Sequence, residues 1–148
     1  MPDVPPLHLS AIDSHAHVFS RGLALVSERR YAPDYDAPLG DYLGQLLAHG
    51  FSHGVLVQPS FLGTDNRYLL SALQAVPQQL RGVVMLAPDV APHTLADMAR
   101  SGVRGVRLNL MGQTLPDLAS GRWRPLLERI GEQGWHLELL RQVADIPA

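Results

Sequence analysis

The chain alternates short apolar runs with longer segments of helical spacing, and this alternation limits the possible folds more than any other feature. The runs are rich in Val, Leu and Ile and have few polar interruptions, which is typical of parallel strands covered on both faces. Strands are predicted at Leu9–His15, Gly54–Gln58, Gly82–Leu86, Val103–Leu108 and Trp135–Leu140. Helices are predicted at Leu39–His49, Asn66–Ala75, Pro92–Arg100 and Gly121–Gln133. The order is βαβαβαβαβ, with crossovers long enough for right-handed parallel connections.

Two architectures fit this order: an open doubly wound sheet, or part of a (β/α)8 TIM barrel with about five parallel strands. No glycine-rich nucleotide loop follows any predicted strand, so a nucleotide-binding open sheet has no support. Residues 20–38 form a long connection rich in Tyr and Pro, and long connections of this kind often carry function. Residues 145–148, with Asp145 and Pro147, resemble the start of a helix. We therefore expect residues 1–148 to be one barrel domain that is truncated after its fifth strand.

The composition excludes several kinds of chemistry and several classes of partner. The 148 residues include no Cys, and all 12 basic residues are Arg. Thiolate ligands, lysine Schiff bases and a metal-bridging carboxylated Lys are therefore unavailable. The net charge is −2, and the apolar runs are too short for a membrane span, so neither a nucleic-acid nor a membrane partner is expected. The absence of Cys is compatible with the cytoplasm, which is the expected location.

Candidate site residues follow the predicted strands, because sites of parallel α/β folds form at the C-terminal strand ends. His15 and His17 after the first strand could bind a metal, polarise a substrate, or merely begin a loop. Strict alternation along the strand places Asp13 on the same face as both histidines. Gln58 and Ser60 after the second strand could donate hydrogen bonds to a substrate. The next polar residues, 64–66, are interpreted as helix-capping residues.

The fourth and fifth strands each direct polar side chains to one face. Arg107 and Asn109 lie opposite an apolar face and are predicted to point into the barrel. A buried Arg is rare unless paired, and its planar guanidinium suits a carboxylate. That carboxylate could belong to a substrate or to Glu138 of the fifth strand. His136 on the same strand is predicted to be a core or bottom-layer residue.

Four segments, in this order, resemble the amidohydrolase-related family, in the branch of 2-pyrone-4,6-dicarboxylate lactonases. They are Ile12–His17, Arg30–Pro33, Val55–Asn66 and Gly102–Asn109. The resemblance implies a (β/α)8 barrel hydrolase with His15 and His17 at the floor of the site. It also implies that Ser60 and Arg107 contact an anionic substrate. A further His after the sixth strand and a catalytic Asp after the eighth strand have no counterpart among the five predicted strands.

The implied activity is the opening of a small anionic lactone, or a similar ester, by attack of water. His15 and His17 would polarise the carbonyl, with or without one divalent metal such as Zn²⁺, and Arg107 would hold a substrate carboxylate. Gln58 and Asn109 are further candidate substrate-binding residues. A metal-dependent decarboxylase of the same superfamily is an alternative. Another is a non-catalytic half-barrel that self-associates through its open sheet edges.

Three expectations follow for the molecule. His15, His17, Ser60 and Arg107 should converge within about 15 Å, as residues around a small-ligand cleft do. The chain alone should bind divalent metal weakly, because catalytic zinc usually takes three protein ligands and only two histidines are evident. It should also fail to form a stable, active monomer, since two strands of an incomplete barrel remain unpaired at its edges.

Overall fold

A computed structural model describes residues 8–119 and 121–145. The five strands are β1 (Ile12–Ala16), β2 (His53–Val57), β3 (Leu80–Val84), β4 (Val103–Asn109) and β5 (His136–Leu140). The four α-helices are α1 (Leu39–Ala48), α2 (Arg67–Ala75), α3 (Pro92–Arg100) and α4 (Arg124–Glu132). Short 3₁₀ turns occupy Ser60–Leu62 and Val143–Asp145. The predicted alternation of strands and helices is therefore confirmed over the described residues.

Some predicted boundaries were wrong. The third strand begins and ends two residues before its predicted position, because Leu80 and Arg81 already pair with β2. The first strand begins at Ile12 rather than Leu9, and the fourth helix begins at Arg124 rather than Gly121. The expected helix start at residues 145–148 falls largely outside the described residues, and Asp145 ends the last 3₁₀ turn.

The sheet order is β1-β2-β3-β4-β5, and every neighbouring pair is parallel. Doubly wound sheets reverse their strand order at a switch point, whereas barrel strands follow one another in chain order. The in-order sheet therefore excludes the doubly wound alternative, and the five strands form about half of a (β/α)8 barrel. No helix within residues 8–119 and 121–145 is both long and apolar enough to cross a membrane.

The main core lies between the sheet and the helices. Leu56, Leu73 and Leu80 are fully buried there. The chain turns out of α1 at Gly50, whose φ of 73° favours glycine, as the predicted helix stop requires. On the opposite, interior side of the sheet lie the polar side chains that were predicted to point into the barrel.

A bulge interrupts the first strand. Asp13 pairs with Gly54 and Ala16 pairs with Leu56, so β1 has one residue more than β2 between these two pairs. The extra residue changes the phase of the alternation. Ala16 packs against the helix-side core, and His15 lines an interior cavity beside Arg107. The prediction that Asp13 shares the face of the histidines is wrong, because its carboxylate contacts α1 instead.

Candidate active site

Two histidine rings stand together after the bulge of β1. The rings of His15 and His17 are T-shaped, with centroids 5.1 Å apart and planes at 79°. His17 Nδ1 lies 2.7 Å from the carbonyl oxygen of Val57, the last residue of β2. A carbonyl oxygen only accepts hydrogen bonds, so Nδ1 carries the proton and donates it. The lone pair of His17 is therefore on Nε2, where it can accept a hydrogen bond or bind a cation.

The surroundings of His17 favour its neutral form. Burial is the largest influence, and it lowers the pKa of His17 below the ordinary value of 6.5. The neighbouring His15 and Arg107 charges lower it further, whereas the Val57 hydrogen bond and the Glu138 carboxylate oppose the shift. At neutral pH, His17 is thus an uncharged imidazole whose free nitrogen is an acceptor.

Arg107 places a buried cation on the interior face. Its residue is 7% exposed, and its pKa is lowered chiefly by burial, although the group stays protonated at any physiological pH. Arg107 and Glu138 are register partners on neighbouring parallel strands, so their side chains share one face. Within the described residues no ion pair of 4.0 Å or less joins them. Arg107 Nη1 donates a long hydrogen bond of 3.4 Å to the carbonyl oxygen of Gln58.

Interior cavities bring several of the predicted residues together. A cavity of about 230 Å³ is lined by His15, Arg107 and Glu138 with two leucines of β5. A second cavity of about 210 Å³ is lined by Arg107, Asn109 and Gln113 together with Trp123 and apolar residues. Arg107 borders both cavities, so this one residue of β4 lies between the side of His15 and the side of Asn109.

Gln58 is fully buried, and its side chain forms hydrogen bonds within the connection that follows β2. Its amide nitrogen donates to the carbonyl oxygens of Gly63 and Asp65, at 3.1 and 2.9 Å. Its amide oxygen is buried without a partner among the described residues. The side chain thus holds the connection between β2 and α2, and only the backbone of Gln58 contacts Arg107. Its predicted substrate contact remains a prediction.

Ser60 begins the 3₁₀ turn that follows β2 and is partly buried. This position lies at the C-terminal edge of the sheet, on the side where β4 carries Arg107 and Asn109. Contact between Ser60 and a substrate also remains a prediction.

The capping interpretation was wrong for Asn66. Its side chain exchanges two hydrogen bonds with the backbone of Met85, donating from Nδ2 at 2.8 Å and accepting at Oδ1 from the amide at 3.1 Å. Asn66 therefore ties the start of α2 to the chain after β3. The capping role falls to Asp65, whose carboxylate accepts from the Arg67 backbone N–H at 3.3 Å.

Two residues of β5 differ in their surroundings. Glu138, considered from the sequence as a partner of Arg107, lines the histidine cavity. His136 lies over Gly105, where a Cβ would be 2.5 Å from its ring, and its side chain is 54% exposed. The exposure of His136 contradicts a core position, whereas its place at the start of β5, with Nε2 3.7 Å from Glu138 Oε1, fits the other half of the prediction, a bottom-layer residue.

A catalytic metal centre would need a third donor side chain beside the two histidines. Among residues 8–119 and 121–145 no group of three or more His, Cys, Asp or Glu side chains could hold a metal ion. Catalytic zinc usually takes three protein ligands. His15 and His17 supply two, so the described side chains do not complete such a centre.

A half-barrel with a histidine pair after its first strand and a buried arginine on its fourth is the framework of an amidohydrolase. Residues 12–148 match the family model described as Amidohydrolase, and the chain belongs to that family.

Two curated relatives have names that describe hydrolysis of anionic lactone-type substrates. A 2-pyrone-4,6-dicarboxylate hydrolase of Comamonas testosteroni is 29% identical over 143 residues, which are 95% of this chain and 47% of the relative. A 4-sulfomuconolactone hydrolase of Hydrogenophaga intermedia is 32% identical over 134 residues, which are 86% of this chain and 43% of the relative. The chain spans about half the length of the curated relatives it matches.

A solved structure is much more similar in sequence. It is a putative 2-pyrone-4,6-dicarboxylic acid hydrolase from Pseudomonas putida, with 84% identity and a TM-score of 0.86. The match covers 95% of this chain and 52% of that one.

Proposed function

We propose that this chain supplies the first five strands of a hydrolase that opens a small anionic lactone by attack of water. The observation that carries the proposal is the shared cavity in which His15 and the buried cation Arg107 meet. The names of the two curated relatives support the substrate class, since both describe anionic compounds of the lactone type.

Arg107 is the substrate-binding group in this proposal. A buried guanidinium without a close carboxylate partner can bind a substrate carboxylate bidentately. Glu138 lies beside it and keeps the local charge balanced before substrate enters. Asn109 and Ser60 are proposed to donate further hydrogen bonds at the same edge of the sheet.

The two histidines are given different roles by their hydrogen bonds. The Nδ1 proton of His17 is held by Val57, so its Nε2 cannot donate to a carbonyl oxygen and instead accepts a hydrogen bond from the attacking water. His15 has an exposed ring, and its N–H is the group that can donate to the substrate carbonyl. This division of roles refines the expectation that both histidines polarise the carbonyl.

In the reaction, the water oxygen bonds to the carbonyl carbon while one water proton passes to the base. The ring C–O bond then breaks, the departing ring oxygen takes that proton to become a hydroxyl, and the new carboxylic acid releases its own proton to solvent as a carboxylate. The family resemblance assigns removal of the water proton to an Asp after the eighth strand, a general-base role. The described donors do not complete a metal centre, so no step is assigned to a metal.

Self-association through the open edges is proposed as a property of the chain by itself. In the sheet formed by the described residues, β1 and β5 each have a neighbour on one side only, and large apolar side chains on or next to them are exposed, including Ile12, Leu139 and Val143. Exposed strand edges pair readily with other strands. This observation also keeps the non-catalytic interaction module as a second candidate function.

Complementation tests the proposed function. The chain is mixed with the part of the Pseudomonas putida protein that it does not cover, and hydrolysis of 2-pyrone-4,6-dicarboxylate is followed by loss of the pyrone absorbance. Turnover is expected with both halves and with neither half alone. A stable complex in sedimentation without turnover would refute the hydrolase proposal and favour the interaction module.

A further inference from the structure

The bulge in β1 determines which face of the sheet each polar residue of that strand occupies. In a regular strand, Asp13, His15 and His17 would all share one face. The extra residue between Asp13 and Ala16 instead leaves Asp13 on the helix side and His15 in the interior. The orientation of the histidine pair therefore depends on the bulge being maintained.

The Asp13 carboxylate holds this bulge with both of its oxygens. Oδ1 accepts the backbone N–H of His15 at 3.2 Å, and Oδ2 accepts the hydroxyl of Tyr42 at 3.1 Å. A bulge leaves a backbone group outside the ladder, and that group needs another partner. Asp13 is the partner, and Tyr42 fixes the carboxylate in the orientation that reaches it.

Tyr42 projects from α1 and is buried against the sheet, with 9% of the residue exposed. Its hydroxyl stands over Gly54, the register partner of Asp13, where a Cβ would come within 2.1 Å of the hydroxyl oxygen. Any larger residue at position 54 would displace the hydroxyl. Burial, followed by the Asp13 charge, raises the pKa of Tyr42, so the hydroxyl remains a donor at physiological pH.

We propose that Asp13 and Tyr42 are positioning residues for the histidine pair, with Gly54 making room for their contact. They act on the rings through the backbone of β1, by way of the hydrogen bond from the His15 N–H to Asp13, and Tyr42 also lines a cavity together with His17. Any effect of Asp13 and Tyr42 on catalysis rests on the proposed hydrolase function. Their effect on the His15 and His17 rings can be measured without any activity.

The test uses NMR of the chain with ¹⁵N-labelled histidine, free or complexed with its complementing half. In the parent chain we expect a nuclear Overhauser effect between the His15 and His17 rings and the Nδ1–H tautomer at His17. Asp13→Ala should abolish both signals. Asp13→Asn should preserve them, because its amide oxygen still accepts from His15 and its amide nitrogen can donate to Tyr42.

Two further variants keep the proposal falsifiable if Asp13→Ala fails to fold. Tyr42→Phe retains the ring but removes the donor, and Gly54→Ala displaces the hydroxyl; both should weaken the ring-to-ring signal and the tautomer signature. Tyr68→Phe on α2 is the matched control and should change neither. His53, whose Nδ1 is 2.7 Å from Ser52 Oγ at the other end of β2, reports that the sheet is intact.

Unchanged His15 and His17 signals in folded Asp13→Ala or Tyr42→Phe protein would overturn the proposal. In the complemented enzyme, Tyr42→Phe should lower kcat about tenfold with little change in KM. If the protein does not hydrolyse lactones, that rate cannot be measured, but the NMR outcome still decides the positioning role.

Discussion

The middle strands and the edge strands of this half-barrel differ in how completely they are covered. In β2 and β3, Leu56, Val57 and Val83 are fully buried. In β1 and β5, Ile12 and Leu139 are 49% and 47% exposed. Both histidines, on or just after β1, and Glu138 on β5 nevertheless belong to the edge strands, whereas Arg107 and Asn109 lie on β4, which has two neighbours. The chain thus holds much of its candidate chemistry on the strands that it stabilises least.

The largest expected effect concerns the edges themselves. We expect the chain alone to self-associate or aggregate, because about 2.5 kcal/mol is lost for every ~100 Å² of apolar surface left in water. Sedimentation velocity of the purified chain, with and without the complementing half, measures this. A monodisperse monomer with a cooperative melt would show that the edges need no partner.

Truncation of a single side chain should destabilise the protein more on a middle strand than on an edge strand. Leu56→Ala in the middle of the sheet should destabilise the complemented protein by about 2–5 kcal/mol, because it leaves a cavity in a packed core. Ile12→Ala at the edge should cost about 1 kcal/mol or less, since that side chain is already half in water. Denaturant unfolding of the two variants gives the comparison, and similar losses would mean that completion of the barrel buries Ile12 fully.

Substrate binding should depend on Arg107, the buried cation on β4. Arg107→Met should lower kcat/KM of the complemented enzyme about 10- to 100-fold, mainly through KM, because a charge-assisted hydrogen bond contributes about 1.5–3 kcal/mol. Arg104→Met is the control, since Arg104 is exposed and donates to the carbonyl oxygens of Ala99 and Val103. Equal losses in the two variants would argue against a specific carboxylate contact.

A smaller effect is expected from the titration of His17. Its folded pKa lies below 6.5, so the unfolded chain binds more protons in that range, and stability should fall as pH drops from about 6.5 toward the lowered folded pKa. Above 6.5 this contribution is constant. His17→Gln should flatten that part of the curve of unfolding midpoint against pH, and an unchanged curve would remove His17 as its source.

The smallest expected effect is that of metal removal. The chain alone should bind Zn²⁺ or another divalent ion weakly, because the described residues offer two histidines and no third ligand beside them. Metal analysis after dialysis without chelator tests this in the parent chain and in His15→Ala. One tightly held equivalent that the variant loses would contradict it.

The sequence was sufficient for the alternation of strands and helices, the half-barrel and the inward position of Arg107, because each depends on local periodicity. Asp13 was assigned to the wrong face because a period of two cannot reveal one inserted residue. Asn66 was misread as a cap because its true partner, the Met85 backbone, is 19 residues away. The same limit applies to Gln58, whose pattern resembles a site residue while its amide nitrogen is used by the following loop.

The in-order sheet affects how strongly a polypeptide that completes the barrel can bind to this chain. A polypeptide that supplies the missing strands pairs with β1 at one end and with β5 at the other, so it binds at two places. Once one edge is engaged, the second pairing is intramolecular and occurs at a high effective concentration. Two weak edge contacts therefore act as one strong one, and blocking either edge alone should release the whole partner.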